Sequence, residues 1–325
     1  MAAIGDDTLL DERSGEATLR DERSRRNQAA AASIAAGVLT ICGGALATWA
    51  YSDLPTVPVL DALRERFAAD APSPGLKALQ VRWYDDNAVK LILVSLVLAL
   101  AAAAIGLTLT HLYRSVKARR AELQRYVVYA AVAGAVLVAV SGVVQAIGVS
   151  AEAAAFAGSS SQTSDAARDV LQGPVIIAAL LLRQIGVFAL GFAVVVLSLN
   201  AMRVGLLTRF MGVLGIIVGV LFIIPVGSSL PIVQAFWLMA LGAMFLGRWP
   251  PGLPPAWVTG EAQPWPTQQE LREARLESQA EKLEDERPRR GDRRRERAEA
   301  LKTPAPELPA RRPHPSSKKR KRKRR

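Results

Sequence analysis

Residues 91–110 read LILVSLVLALAAAAIGLTLT, a run without a charge in which Ser95, Thr108 and Thr110 are the only polar side chains. At ~1.5 Å rise per residue such a run makes a helix of about 30 Å, the thickness of a bilayer's hydrocarbon core. A spanning helix satisfies its own backbone, whereas a membrane β-strand would alternate apolar with polar side chains, so a barrel is excluded. Outward from this run, five others follow the same logic: Ala29–Tyr51, Tyr126–Val149, Pro174–Met202, Phe210–Val226 and Pro231–Gly247. The last two have about 17 residues each and cover only about 26 Å, so they should stand nearly upright across the turn Gly227-Ser228-Ser229-Leu230. The expectation is an all-α integral membrane protein with six transmembrane helices and residues 29–247 as its membrane domain.

Composition agrees. Half of the 325 residues are hydrophobic and 22% are charged, yet the two populations occupy separate blocks, which excludes a soluble globular chain. The net charge of +12 is concentrated in residues 248–325, which hold 22 Lys/Arg against 12 Asp/Glu. The single cysteine, Cys42, excludes a disulfide framework and a multi-cysteine metal site, and reads as apolar packing. His111 and His314 are far apart in the chain, so neither a metal site nor a cofactor is expected.

Residues 1–28 are polar and mixed in charge and read as a disordered cytoplasmic segment. Ala45-Leu46-Ala47 matches a signal-peptidase site, and Ser24-Arg25-Arg26 has a twin-arginine look. The long acidic leader and the five later apolar runs favour a retained helix. Orientation follows from Lys and Arg in the short loops. The 111–125 connection carries Arg114, Lys117, Arg119, Arg120 and Arg125, and 203–209 carries Arg203 and Arg209, whereas 150–173 has only Arg168. The 52–90 loop breaks the pattern, but it is long and acid-rich. Both termini are therefore expected in the cytoplasm, with Trp49, Tyr51, Trp83 and Tyr84 at the outer boundary and Tyr113, Tyr126 and Trp249 at the inner one. A short helix is expected over Asp61–Ala69, and 151–169 reads as flexible.

The tail, 248–325, opens with the proline-rich neck Pro250-Pro251-Gly252-Leu253-Pro254-Pro255 and Pro264-Trp265-Pro266. A capping-box spacing, Thr267 to Glu270, introduces a charged helix over 268–287. The chain ends in Lys318, Lys319, Arg320, Lys321, Arg322, Lys323, Arg324 and Arg325. A disordered run of cations acts electrostatically, on anionic lipid headgroups or on ribosome/RNA. No aromatic side chains interleave it, so base stacking is not expected. A purely topogenic role is the plain alternative.

The stretch Gly205-Leu206-Leu207-Thr208-Arg209-Phe210-Met211-Gly212-Val213-Leu214-Gly215-Ile216, with Pro255-Ala256-Trp257, Gly260-Glu261-Ala262 and Pro264-Trp265-Pro266, resembles uncharacterised multi-pass membrane proteins of GC-rich bacteria. The resemblance implies a bacterial cytoplasmic (plasma) membrane protein and carries over no catalytic residue.

Within the apolar runs, Arg183 is the residue that demands an explanation. An arginine inside a span costs at least about 2.5–3.5 kcal/mol and needs a partner or water. Gln184, Gln145 and Gln234, with Ser95, belong to the same outer half under the expected topology, and no acid lies in any run. Together they suggest a small anion-binding vestibule. Alternatively Ile185–Met202 spans alone, Pro174–Leu182 lies along the interface and Arg183 snorkels. Gly212, Gly215 and Gly219 form a small-residue face for helix packing, within the chain or between copies. No nucleophile elbow, phosphate loop, zinc-protease helix or dinucleotide fingerprint is present, so an enzyme is not expected. The sequence reading is a non-enzymatic anchor or accessory factor with a polybasic tail; the alternative is a transporter or small-anion binder using Arg183.

Overall fold

The computed structural model describes residues 3–67, 75–224, 231–250, 252–265, 269–270 and 272–280, the side chains of 3–19, 21, 62 and 66 excepted. Among the described residues the chain is helical, without strands: α1 Ala3–Ala50, α2 Val59–Arg66, α3 Leu76–Asp86, α4 Ala88–Arg119, α5 Tyr126–Ala157, α6 Ser164–Leu171, α7 Pro174–Arg203, α8 Arg209–Ile223, α9 Ile232–Phe245 and α10 Ala256–Thr259. Two compact units divide at Trp265/Pro266. In the second, 269–270 and 272–280 are helical, and the polybasic run 318–325 lies outside the described residues.

Four helices are long and apolar enough to cross a membrane: Glu22–Ala50 of α1, and α4, α5 and α7. α8 and α9 are apolar but have 15 and 14 residues, shorter than the runs that announced them. The large apolar side chains that remain exposed, such as Leu93, Leu100, Leu107, Tyr129, Val136, Val140, Leu181 and Phe192, face outward from the bundle as lipid-facing residues do. Cys42 also lies on an exposed face.

The helices form a ring in which α1 packs on α4, α4 on α5, α5 on α7, α7 on α8, α8 on α9 and α9 back on α1. Glycines set the close approaches. Gly134 of α5 faces Gly186 and Leu190 of α7, and Gly37 of α1 faces Ala235 and Met239 of α9. Gly212, Gly215 and Gly219 are buried against Met202, Ser198 and Gly191 of α7, respectively.

Two expected loops are folded. α5 continues to Ala157, and α6 follows with Thr163 Oγ1 accepting from Ala166 N at its start. Ala78 and Val81 of α3, which the sequence reading left in a loop, bury against Ala153, Phe156 and Ala167. Glu65 at the end of α2 joins these connections. Its carboxylate accepts from Leu76 N at 3.2 Å and from Ser164 Oγ at 2.8 Å. Residues 3–28 are helical and continuous with the first span rather than a separate segment. From Glu22 onward they pack into the bundle, because Glu22 meets a buried cation there.

Candidate functional site

Two features distinguish the ends of this ring. At one end sit Arg23, Arg25, Arg114, Arg120, Arg125, Arg203, Arg209 and Arg248; at the other, Asp53, Asp61, Glu65, Asp85, Asp86, Glu152, Asp165 and Asp169 stand among Arg64, Lys77, Arg82, Lys90 and Arg168.

The end without the basic cluster is where the Arg183 side chain is found. α7 runs unbroken from Pro174, a proline at its first turn, through Arg183 to Arg203, so the chain does not bend into the interface ahead of Ile185. At helical spacing Arg183 shares a stripe with Ile176, Ala179, Gly186, Leu190, Val194, Leu197 and Ala201. All of these are buried, and Arg183 is exposed. α8 is short, and Ile223, its last residue, lies beside Gly191, but α8 meets the Gly191 and Ser198 face of α7; on the Arg183 stripe, Gly186 and Leu190 pack on Gly134 of α5, and Ile176 and Ala179 stay buried beyond Arg183.

Gln145 falls on the buried stripe of α5 with Val127, Ala131, Gly134 and Ser141, and Gln234 on that of α9 with Trp237, Leu238, Leu241 and Phe245; both are half-buried. Gln184 is exposed, on the face that Gly191 and Ser198 turn toward α8, off the Arg183 stripe. Three of the four sequence candidates thus face the ring interior from three helices, and no hydrogen bond joins them among the described residues. Ser95 is buried and donates to Ile92 O at 2.7 Å within α4.

Tyr51 is a member of this region that the sequence reading used only as a boundary marker. Burial raises its pKa above the phenol value, and the nearby Arg183 charge draws it back down. Its ring lies 5.9 Å from that of Trp83, which meets Tyr84 edge-on at 5.3 Å. Tyr84 is raised as well, by burial and then by Tyr51.

The basic end is closed. The Arg119 side chain is fully buried and Glu22 is 11% exposed. The guanidinium donates to Glu22 Oε1 at 2.5 Å and Oε2 at 3.0 Å, to Ser115 O at 3.0 Å and to Ala256 O at 2.7 Å. It also lies over the Trp257 ring, 5.5 Å from the centroid. The neck is folded onto the α7–α8 turn: Trp257 Nε1 donates to Leu206 O at 2.8 Å, Trp265 Nε1 to Leu207 O at 2.8 Å and Gln263 N to Val204 O at 3.1 Å. The Arg26 guanidinium bonds the Phe245 carbonyl. The segments 205–216 and 255–265, quoted together above, therefore meet in space. Glu22 and Arg119 were missed; the available signal was the spacing of Thr108, His111, Ser115 and Arg119 on one face of α4.

No group of three or more His, Cys, Asp or Glu suited to a metal ion occurs among the described residues. Comparison with known proteins finds no matching family model, no similar curated protein and no similar solved structure.

Proposed function

We propose that the chain is a non-enzymatic protein of the bacterial plasma membrane that crosses it six times, has both termini in the cytoplasm and binds a singly charged anionic group at Arg183. Six spans are supported by α8 and α9, which complete the ring and expose Phe210, Val213, Ile217, Ile232 and Phe236 outward. The orientation is supported by the basic character of one end.

The anion reading is carried by one observation: Arg183 is exposed on a stripe whose other members are buried. No hydrogen bond or ion pair engages it among the described residues, and Tyr51 lies near enough for the Arg183 charge to act on its phenol. One cation without a carboxylate is neutralised by one negative charge, and a dianion would leave one charge over. A halide and the phosphodiester of a lipid headgroup share that chemistry. Thermal melting of the full chain in detergent, with sodium chloride against sodium gluconate and with added phosphatidylglycerol, separates the two. A ligand at 100 times its Kd adds about 2.7 kcal/mol to stability. Stabilisation by one of the two, absent in Arg183→Ala, is expected; equal melting of parent and variant under every condition removes the site.

A second reading, an electrostatic tether to anionic lipid or to ribosome/RNA through 318–325, is favoured by the docked neck, which holds the chain at the basic end as far as Trp265. Binding of the full chain and of 1–317 to anionic vesicles and to ribosomes at two salt concentrations tests it. Salt-sensitive binding lost on truncation is expected, and equal binding by both forms refutes the tether.

A further inference from the structure

Thr108, His111, Ser115 and Arg119 follow one another on a single face of α4 at i, i+3, i+7 and i+11, each with its side chain in the interior. The row is about 16 Å long and continues away from the basic end through Ala104 and Ala101, both small and buried. His111 packs edge-on against Phe245, at 5.0 Å between ring centroids, and Phe245 packs on Trp257 at 5.7 Å. Ser115 Oγ and Arg119 Nε have no hydrogen-bond partner among the described residues. The row is thus polar through a half of the bundle that is otherwise packed with Leu109, Leu112, Leu197, Leu241 and Met244. Its end is covered by the neck, through Ala256 O and Trp257, and by Glu22 from the extension of α1.

We propose that Glu22, Arg119 and Trp257 are a gate at the basic end, and that undocking the neck admits water along the α4 row toward the chamber that holds Arg183. The cover lies outside the apolar spans and is attached by three hydrogen bonds to the α7–α8 turn, from two indoles and one backbone amide, by Arg119 donating to Ala256 O, and by the burial of Ala256. A buried ion pair is well suited to such a role. Its desolvation offsets much of its attraction, so exchanging Ala256 O and Trp257 for water changes the balance little. The proposal rests on the anion reading only for what the second opening serves, and the gate can be tested without an anion.

The reporter is Ser115→Cys in a Cys42→Ser background, with the full chain in lipid nanodiscs and a membrane-impermeant maleimide. With the gate intact the thiol is slow to react. Glu22→Gln or Trp257→Phe should speed labelling by about tenfold, the shift that loss of one or two net hydrogen bonds gives to an opening equilibrium. Gly205→Ala, which disturbs the neck from its far side without touching Glu22 or Arg119, should speed labelling by up to about a hundredfold and serves if the first two variants fold poorly. Fast labelling of the parent, or unchanged labelling in folded variants whose neck has become protease-sensitive, overturns the gate. Chloride or phosphatidylglycerol stabilisation, measured on the same proteins, reports on Arg183 separately. Labelling that changes without any such stabilisation keeps the gate and removes the anion site; the reverse result removes only the gate.

Discussion

Replacing Gly205 by alanine sets the α7–α8 turn against the neck. Gly205 has φ +76, a left-handed conformation that costs a residue with a Cβ roughly 1–2 kcal/mol. A Cβ there also collides with the Gln263 carbonyl oxygen and reaches 3.0 Å from its carbonyl carbon. Either the turn or the neck must move. The turn is held by Gly205 N to Met202 O at 3.2 Å, Leu206 N to Ala201 O at 2.8 Å and Leu207 N to Ala201 O at 3.1 Å, and both leucines are fully buried. Moving it would add the exposure of two leucines, about 1.5–3 kcal/mol each. The neck is held to the turn by three hydrogen bonds, worth about 1 kcal/mol apiece, and elsewhere by Arg119 donating to Ala256 O and by the contacts of Trp257.

The neck therefore yields first. If roughly 3 kcal/mol of docking is lost, the released fraction rises by about a hundredfold. Chymotrypsin cleavage after Trp257 and Trp265, followed by mass spectrometry on the detergent-solubilised full chain, reads that fraction directly. Cleavage should accelerate by up to that factor while the helical circular dichroism of the bundle persists. Equal cleavage rates in parent and variant, with unchanged melting, would refute the docking geometry.

Four further outcomes follow from the packing and the charges. Gly191→Ala places a Cβ 2.7 Å from Gly219 O and 2.7 Å from an Ile223 side-chain carbon, and should lower stability by about 1–3 kcal/mol in a denaturant or thermal series. Gly142→Ala meets nothing within 4 Å and should be neutral or stabilising by up to about 1 kcal/mol. Glu22→Ala leaves the fully buried Arg119 without its carboxylate and should destabilise by about 3–5 kcal/mol, most of it recovered in the double variant Glu22→Leu/Arg119→Met. The Tyr51 pKa is raised on folding, so its contribution is fully present below the unfolded value near 10.0 and is lost as pH rises through the folded value. Alkaline melting above pH 10 should accordingly be shallower in Tyr51→Phe.

What the sequence made legible is the apolar part of each helix. The runs beginning at Tyr126 and Pro174 start where α5 and α7 start. The Pro174 run also ends within one residue of α7, but the far end of α5 was missed, because hydropathy stops where the apolar run stops, whereas a helix continues while its sides find partners. α5 runs on to Ala157 because Ala153 and Phe156 bury against Ala78, Val81 and Ala167. α3 was hidden by Lys77, Arg82, Asp85 and Asp86, which mask its apolar stripe. The neck was read as a linker because of its prolines, but proline only removes donors and fixes φ; the tryptophan N–H groups supplied the docking bonds. Glu22 was unreadable for a different reason: its partner lies 97 residues away, and no local pattern marks the pair. Arg183 was legible as an anomaly, and its stripe could have been counted. Its exposure could not, because the stripe is buried on both sides of it.

The burial pattern along that stripe orders the causes. Ile176 and Ala179 lie farther out than Arg183 and are buried, and Gly186 and Leu190 lie deeper and are buried as well. Gly186 and Leu190 pack on Gly134 of α5, whereas α8 meets the face of Gly191 and Ser198, on which Gln184 falls. The 15 residues of α8 reach about 22 Å, and its last residue lies beside Gly191, so its length bears on that other face. What sets Arg183 apart from its neighbours is its side chain: a guanidinium on a long apolar stem reaches water from a stripe that buries alanine and isoleucine. Held inside without partner or water, the same arginine would simply destabilise the bundle.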